Sequence, residues 1–241
     1  MVYQERTYRN YVKADNLIKF EVIEKETDLL ILAESNLYDK ALEQVLKYRK
    51  EIEDYIQAHP HFGKTFSPCR ANYGAPLMIK EMCAASRRSK VGPMAAIAGA
   101  LAEFVGKALL PLSREIIVEN GGDIFIKTDE PRRVAVFAGT SPFSEKIALE
   151  LEPRKDPYCV CTSSGTVGHS FSFGKADAVV VISKNGALAD AAATAIGNVV
   201  KEVSDIEQGI RLAKKIKRLD GVLIIKGDQM GVRGKIRIVP L

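Results

Sequence analysis

The spacing of apolar positions along this chain changes several times, and each change predicts an element. Leu17–Glu24 and Asp28–Glu34 read as strands, with Glu24–Thr27 between them as a hairpin turn, and Arg9–Lys13 reads as a shorter strand ahead of them. From Asn36 to about Ala58 the period becomes helical, placing Leu37, Ala41, Val45, Tyr48, Ile52 and Tyr55 on one stripe. His59-Pro60 stops this helix, because proline lacks the amide that the next turn needs. Residues 60–76 form a Pro/Gly/aromatic loop longer than a plain connector. Pro76–Arg88 and Gly92–Leu110 return to a helical pattern, the second so apolar on all sides that burial is expected.

Further along, Glu115–Glu119 and Asp123–Lys127 read as a strand pair turned at Gly121-Gly122. Arg133–Gly139, Lys146–Glu152 and Tyr158–Thr162 follow as strands, then a hydroxyl- and glycine-rich loop at Ser163–Gly168. Ala176–Ser183 is a nearly continuous apolar run, the pattern of a strand covered on both faces. A helix over Ala187–Lys201, a basic helix over 205–218, and strands at Val222–Lys226 and Lys235–Val239 complete the chain. Strands and helices come in runs without regular alternation, which predicts an α+β fold, read here as one domain spanning 1–241.

Composition narrows the function classes. With 241 residues, 46% of them hydrophobic and 27% charged, the chain has the make-up of a folded globule. Its longest apolar runs, Met94–Ala102 and Ala176–Ile182, are too short to span a bilayer, and the first residues show no export signal, so a cytoplasmic protein with no membrane partner is expected. The net charge of +5 is unevenly placed: about 3 negative over 1–60, about 4 positive over 61–120 and about 5 positive over 181–241. The dense basic stretch Arg211–Leu219 sets Leu212, Ile216 and Leu219 on one stripe, with Lys214, Lys215, Lys217 and Arg218 elsewhere. That is a solvated amphipathic helix without stacking aromatics, and no nucleic-acid partner is expected. Arg70, Arg87, Arg88 and Lys90 suit a small anion instead.

Four cysteines in such a chain argue against a disulfide scaffold. Cys159 and Cys161 alternate on a strand, so both sulfurs point to one face, as core residues or as reactive thiols. Cys69, in the long loop, is the third reactive-thiol candidate.

Three polar, glycine-bearing segments flank apolar elements. Glu119–Ile124 carries Gly121, Gly122 and Asp123, and its paired glycines permit a tight turn or a close backbone approach. Thr162, Ser163, Ser164 and Gly165 open a loop whose hydroxyls and amides can surround a phosphate, and His169 beyond it is an acid–base candidate. In Ala187–Ile196, Asp190 and Thr194 lie one turn apart on one helix face and offer two oxygens to a hard cation, while the alanines leave room for a phosphate.

The order of these segments, E-N-G-G-D-I, T-S-S-G and A-D-A-A-A-T-A, resembles the core motifs of the ApbE superfamily of FAD-dependent protein FMN transferases over roughly residues 91–200. Val91–Glu103, Glu119–Ile124 and Ser163–Ser170 resemble still more a shorter cytoplasmic prokaryotic family related to it. The resemblance implies T-fold-type β-sheet layers with packed helices. It further implies Mg²⁺ or Ca²⁺ at Asp190 and Thr194, with a backbone carbonyl near Gly92–Met94 as a third ligand, and an FAD-like nucleotide as ligand. The H-I-I-D-P-x-T-G segment of the transferases, which lies near the reacting phosphates, is absent between Gly165 and Gly174.

The expectation is therefore a cation-assisted binder of a phosphorylated small molecule, with transfer or hydrolysis as its reaction class and a homo-oligomer left open. The alternatives are a thiol or persulfide carrier built on Cys69, Cys159 or Cys161, and a non-catalytic scaffold.

Overall fold

The computed structural model describes Arg9, Ala14, residues 16–166 and residues 173–241. The strand expected over Arg9–Lys13 lies outside them apart from Arg9. In chain order the elements are β1 (Ile18–Glu24), β2 (Thr27–Ala33), α1 (Tyr38–Ala58), α2 (Pro60–Lys64), α3 (Leu77–Ser89) and α4 (Ile97–Leu109). There follow β3 (Ile116–Asn120), β4 (Asp123–Lys127), β5 (Arg132–Ala135), β6 (Ile147–Leu151), β7 (Tyr158–Ser163), β8 (Ala178–Ser183) and α5 (Gly186–Asn198). The last are α6 (Ile206–Lys215), β9 (Leu219–Lys226), β10 (Gln229–Gly234) and β11 (Ile238–Pro240).

An eight-stranded antiparallel sheet, ordered β1-β2-β3-β4-β7-β8-β9-β10, is the spine of the α+β fold. Helices cover one face, and a three-stranded sheet, β11-β6-β5, covers the other. Strand alternation sorts side chains between the two cores. Leu29 and Ile31 of β2 face the helices while Leu30 and Leu32 face the small sheet, so all seven β2 residues are buried. β8 repeats the arrangement, with Val179 and Val181 on the helix side and Val180 and Ile182 on the other. This double covering is why Ala176–Ser183 reads as a nearly continuous apolar run.

Several boundaries differ from expectation. Pro60 ends α1 and also occupies the first turn of α2, where its missing amide costs nothing, so the long loop begins later than residue 60. The Gly92–Leu110 helix is split: a 3₁₀ turn at Pro93–Ala96 precedes α4, and another at Leu110–Leu112 follows it. As one stretch, Pro93–Leu112 has the length and composition of a membrane span, longer than the apolar run read from sequence, but it is half buried and α4 packs on β3 and β4. The basic helix stops at Lys215, because Ile216 is extended and Arg218 turns with φ 72° into β9. The strand β10 goes unread in the sequence: it is an edge strand with two glycines and no buried face.

Candidate functional site

The three motif segments converge at one end of the large sheet, on its helix-covered side. Gly121 and Gly122 form the β3–β4 hairpin turn with φ of 63° and 99°, a conformation that favours glycine. The turn is held by Glu119, which accepts the Gly122 amide at 2.7 Å and is itself bound by the Arg9 guanidinium at 2.7 Å. Asp123, the first residue of β4, is buried and accepts the amide of Thr162, at the end of β7, at 3.2 Å.

Asp190 arrives from the opposite side. Asn185 caps α5 by accepting the Leu188 amide at 2.7 Å, and the buried Glu103 of α4 accepts the Gly186 amide at 2.6 Å. A carboxylate at a helix N-terminus complements the free amides there. α4 and α5 then approach very closely: a Cβ on Gly99 would lie 2.5 Å from the Gly186 carbonyl oxygen and 2.8 Å from the Asp190 Cβ. The contact delivers the Gly99 amide to the Asp190 carboxylate at 3.0 Å. Asn120 braces the same turn by donating to the Ala98 carbonyl at 3.1 Å.

Asp190, Thr194 and Asn198 are the partly exposed positions of the Asp190–Asn198 stretch of α5, spaced four residues apart, amid buried alanines. They form one polar stripe, as the spacing predicts. Beyond Thr162, Ser163 is buried, while Ser164 accepts the Thr166 amide at 3.1 Å and Thr166 donates to Asp177 at 3.3 Å. Gly165 allows close packing, since a Cβ there would meet the Gly174 carbonyl oxygen at 2.3 Å. The Gly92 carbonyl, within the segment expected to give a third ligand, accepts the Ala95 amide at 3.2 Å and opens the 3₁₀ turn that packs on α5. His169 lies outside the described residues.

The electrostatics are those of two acids sharing a site. Burial pushes the Asp190 carboxyl up to about 7, partly opposed by the Gly99 and Ala98 amides. Burial also pushes Asp123 well above the usual carboxylate range, and the charge of Asp190 adds to the effect, against hydrogen bonds from Cys161 and the Thr162 amide. Among the described residues no Lys or Arg pairs with either acid, and no three His, Cys, Asp or Glu side chains form a metal cluster. A cation here would take oxygens from Asp123, Asp190 and Thr194 and complete its shell with phosphate and water, the habit of Mg²⁺.

Cys159 and Cys161 do share one face, turned to the helices, and both are fully buried. The Cys161 thiol lies 3.6 Å from the Gly186 carbonyl. Burial pushes both thiols well up, Cys161 further through the charges of Asp123 and Asp190. That is the reverse of the exposed, acidic thiol a sulfur carrier needs, so these two act as floor packing beneath α4 and α5. Cys69 is the partly exposed cysteine, with its sulfur 3.5 Å from that of Cys83. Sequence reasoning misses Glu103, although a lone acid inside an apolar helix signals a buried partner. It also misses Gly99 and Gly186, whose contact depends on tertiary packing.

Residues 9–218 match the family described as AbpE bacteria. The UPF0280 protein MJ1526 of Methanocaldococcus jannaschii is 41% identical over 224 residues, covering 90% of this chain and 91% of that protein. A UPF0280 protein of Methanospirillum hungatei is 42% identical over 214 residues, covering 88% and 86%. Among solved structures, the flavin transferase ApbE from Vibrio cholerae matches with a TM-score of 0.60 at 12% identity, covering 93% of this chain and 96% of that one. The ApbE protein from Thermotoga maritima matches with a TM-score of 0.55 at 12% identity, covering 91% and 97%. At that identity the likeness is one of fold.

Proposed function

This chain belongs to the AbpE bacteria family, and from that premise we propose that it binds a phosphorylated small molecule, a flavin nucleotide foremost, with a divalent cation at Asp123, Asp190 and Thr194. The observation that carries the reading is the pair of acids, Asp123 and Asp190, near enough that the charge of Asp190 helps raise the Asp123 carboxyl, with no Lys or Arg paired to either among the described residues. Two carboxylates placed so close are costly to ionise together unless positive charge joins them. A bound Mg²⁺ or Ca²⁺ would supply that charge and attract phosphate oxygens.

The rest of the site suits the phosphates. The Gly121-Gly122 turn puts no side chain in the way, with nothing within 4 Å of a Cβ built on Gly121. Thr162 and Ser164, both partly exposed, bring hydroxyl donors to the same end of the sheet. The buried alanines of α5 keep the helix surface low around Asp190 and Thr194. Such a site works on phosphates by electrostatic stabilisation, so phosphoryl or nucleotidyl transfer or hydrolysis is the reaction class it fits. The fold relative from Vibrio cholerae is a flavin transferase, which makes a flavin nucleotide the molecule to try first.

Quenching of flavin fluorescence tests this reading. FAD titrated with the protein should quench saturably in Mg²⁺ and far less in a chelator. No saturable quenching under either condition overturns it.

A further inference from the structure

A second cluster, separate from the acids, lies where the long loop meets α3. Cys69 of the loop and Cys83 of α3 hold their sulfurs 3.5 Å apart, and Cys83 is fully buried while Cys69 is partly exposed. Near them lies an open surface hollow of about 430 Å³, lined by Arg70, Ala71, Lys80 and Arg87. Arg70 follows Cys69 directly, and Lys80 and Arg87 bracket Cys83 on α3, three residues before it and four after. The spacing puts the cations near the Cys83 turn of the helix. Arg87 is close enough that its charge acts on the Cys83 sulfur. The loop is pinned just beyond the thiol, where the Asn72 amide donates to the Tyr55 hydroxyl at 3.2 Å. Cys69 is thus held over Cys83 by an anchored backbone.

Two thiols in near contact, one reachable and one sealed beneath it, form the geometry of an attacking and a resolving cysteine. Three cations lining the nearby hollow select what can approach. We propose that Cys69 and Cys83 are a dithiol site that reduces a negatively charged low-molecular-weight disulfide drawn in by Arg70, Lys80 and Arg87. Cys69 gives up its proton and attacks one sulfur of the incoming disulfide. The bond between the two ligand sulfurs breaks, and the first half leaves as a thiolate that takes up a proton. Cys83 then loses its proton and attacks the Cys69 sulfur, and the second half leaves and is protonated in turn. The ligand disulfide gains two electrons and two protons, and the protein loses the same in forming a Cys69–Cys83 disulfide. The sulfurs need close only from 3.5 Å to about 2.05 Å. Cys83 is sealed from solvent beneath Cys69, which keeps it from competing for the first step.

The full chain is mixed with a dianionic aromatic disulfide, 5,5′-dithiobis(2-nitrobenzoate), and in parallel with uncharged 2,2′-dithiodipyridine. The wild type should release two thionitrobenzoates from this pair and finish as a Cys69–Cys83 disulfide with no adduct, located by peptide mass. Cys83→Ser should release one and retain the adduct on Cys69, and Cys69→Ser should leave Cys83 unreacted in the folded protein. Arg70→Gln with Lys80→Gln, both at exposed positions, should slow the dianionic reagent by about tenfold or more, a charge-steering effect, and leave the uncharged one within about twofold. An adduct that persists on Cys69 of the wild type overturns the resolving role. Equal slowing of both reagents overturns the anion selection.

Discussion

The amide of Gly99 donates to the carboxylate of Asp190 at 3.0 Å, joining residues 91 apart in the chain. This single bond ties the start of α4 to the polar stripe of α5, and it exists because neither Gly99 nor Gly186 has a side chain at the crossing. Gly99→Ala would thrust a methyl to 2.5 Å from the Gly186 carbonyl oxygen and 3.0 Å from the Cys161 sulfur. The expected cost is about 1–3 kcal/mol of overpacking, seen as a fall of about 2–4 °C in Tm per kcal/mol. Thermal unfolding of the purified variant checks it, and an unchanged Tm would show that the helices slide apart freely.

Asp190 makes stability depend on pH with a definite sign. Its folded carboxyl titrates at about 7, whereas an unfolded one titrates near about 4. Between those values the folded chain keeps a proton that the unfolded chain has lost, so this group lowers stability as pH rises from about 4 to about 7. Asp123, raised in the same direction, adds to the fall. Asp190→Asn should therefore gain Tm relative to wild type at pH 8 and much less at pH 5. Melting curves at the two values test it, and equal differences at both would contradict a raised Asp190 carboxyl.

Cation binding should show the opposite trend. Protons compete for the same oxygens, so millimolar Mg²⁺ should raise the wild-type Tm at pH 8 more than at pH 5. Thr194→Val keeps the shape and removes one oxygen from a partly exposed position, so its own Tm should change little. Its Mg²⁺ affinity should fall by about fivefold, one hydrogen-bond-sized loss of about 1 kcal/mol. A Tm response equal to wild type would remove Thr194 from the cation site.

The turn that presents Asp123 rests on a buried arginine bound by two acids. Arg9 bonds Glu119 and Asp28, each at 2.7 Å, and Glu119 in turn holds the Gly122 amide. Arg9→Met takes the guanidinium from between the two carboxylates, and removal of one partner from a buried charged network costs about 3–5 kcal/mol. Chemical denaturation should report that loss, while a cost below about 1 kcal/mol would mean that water reaches Glu119 freely.

How far such a site can be read from sequence depends on how local it is. Asp190 and Thr194 are legible because one helix sets their spacing, and Gly121-Gly122 because a hairpin demands that dipeptide. β2 and β8 are legible because both their faces are apolar. The pairing of Asp123 with Asp190 is not, since two elements distant in sequence bring it about. Leu212, Ile216 and Leu219 keep a helical spacing through a real chain reversal, because Arg218 takes φ 72° just where the pattern continues. β10 offers only Met230 and Val232 between glycines and polar residues, and the sealing of Cys159 and Cys161 is set by the helices laid over them, not by their own strand.

The most direct measurement is a calorimetric titration of FAD into wild type and Asp190→Asn, each with Mg²⁺ and with chelator. The account predicts saturable binding in wild type with Mg²⁺, with the other three arms weakened at least about tenfold, the loss of one charged contact of about 1.5–3 kcal/mol. Binding of equal strength in Asp190→Asn, or none in any arm, would contradict it.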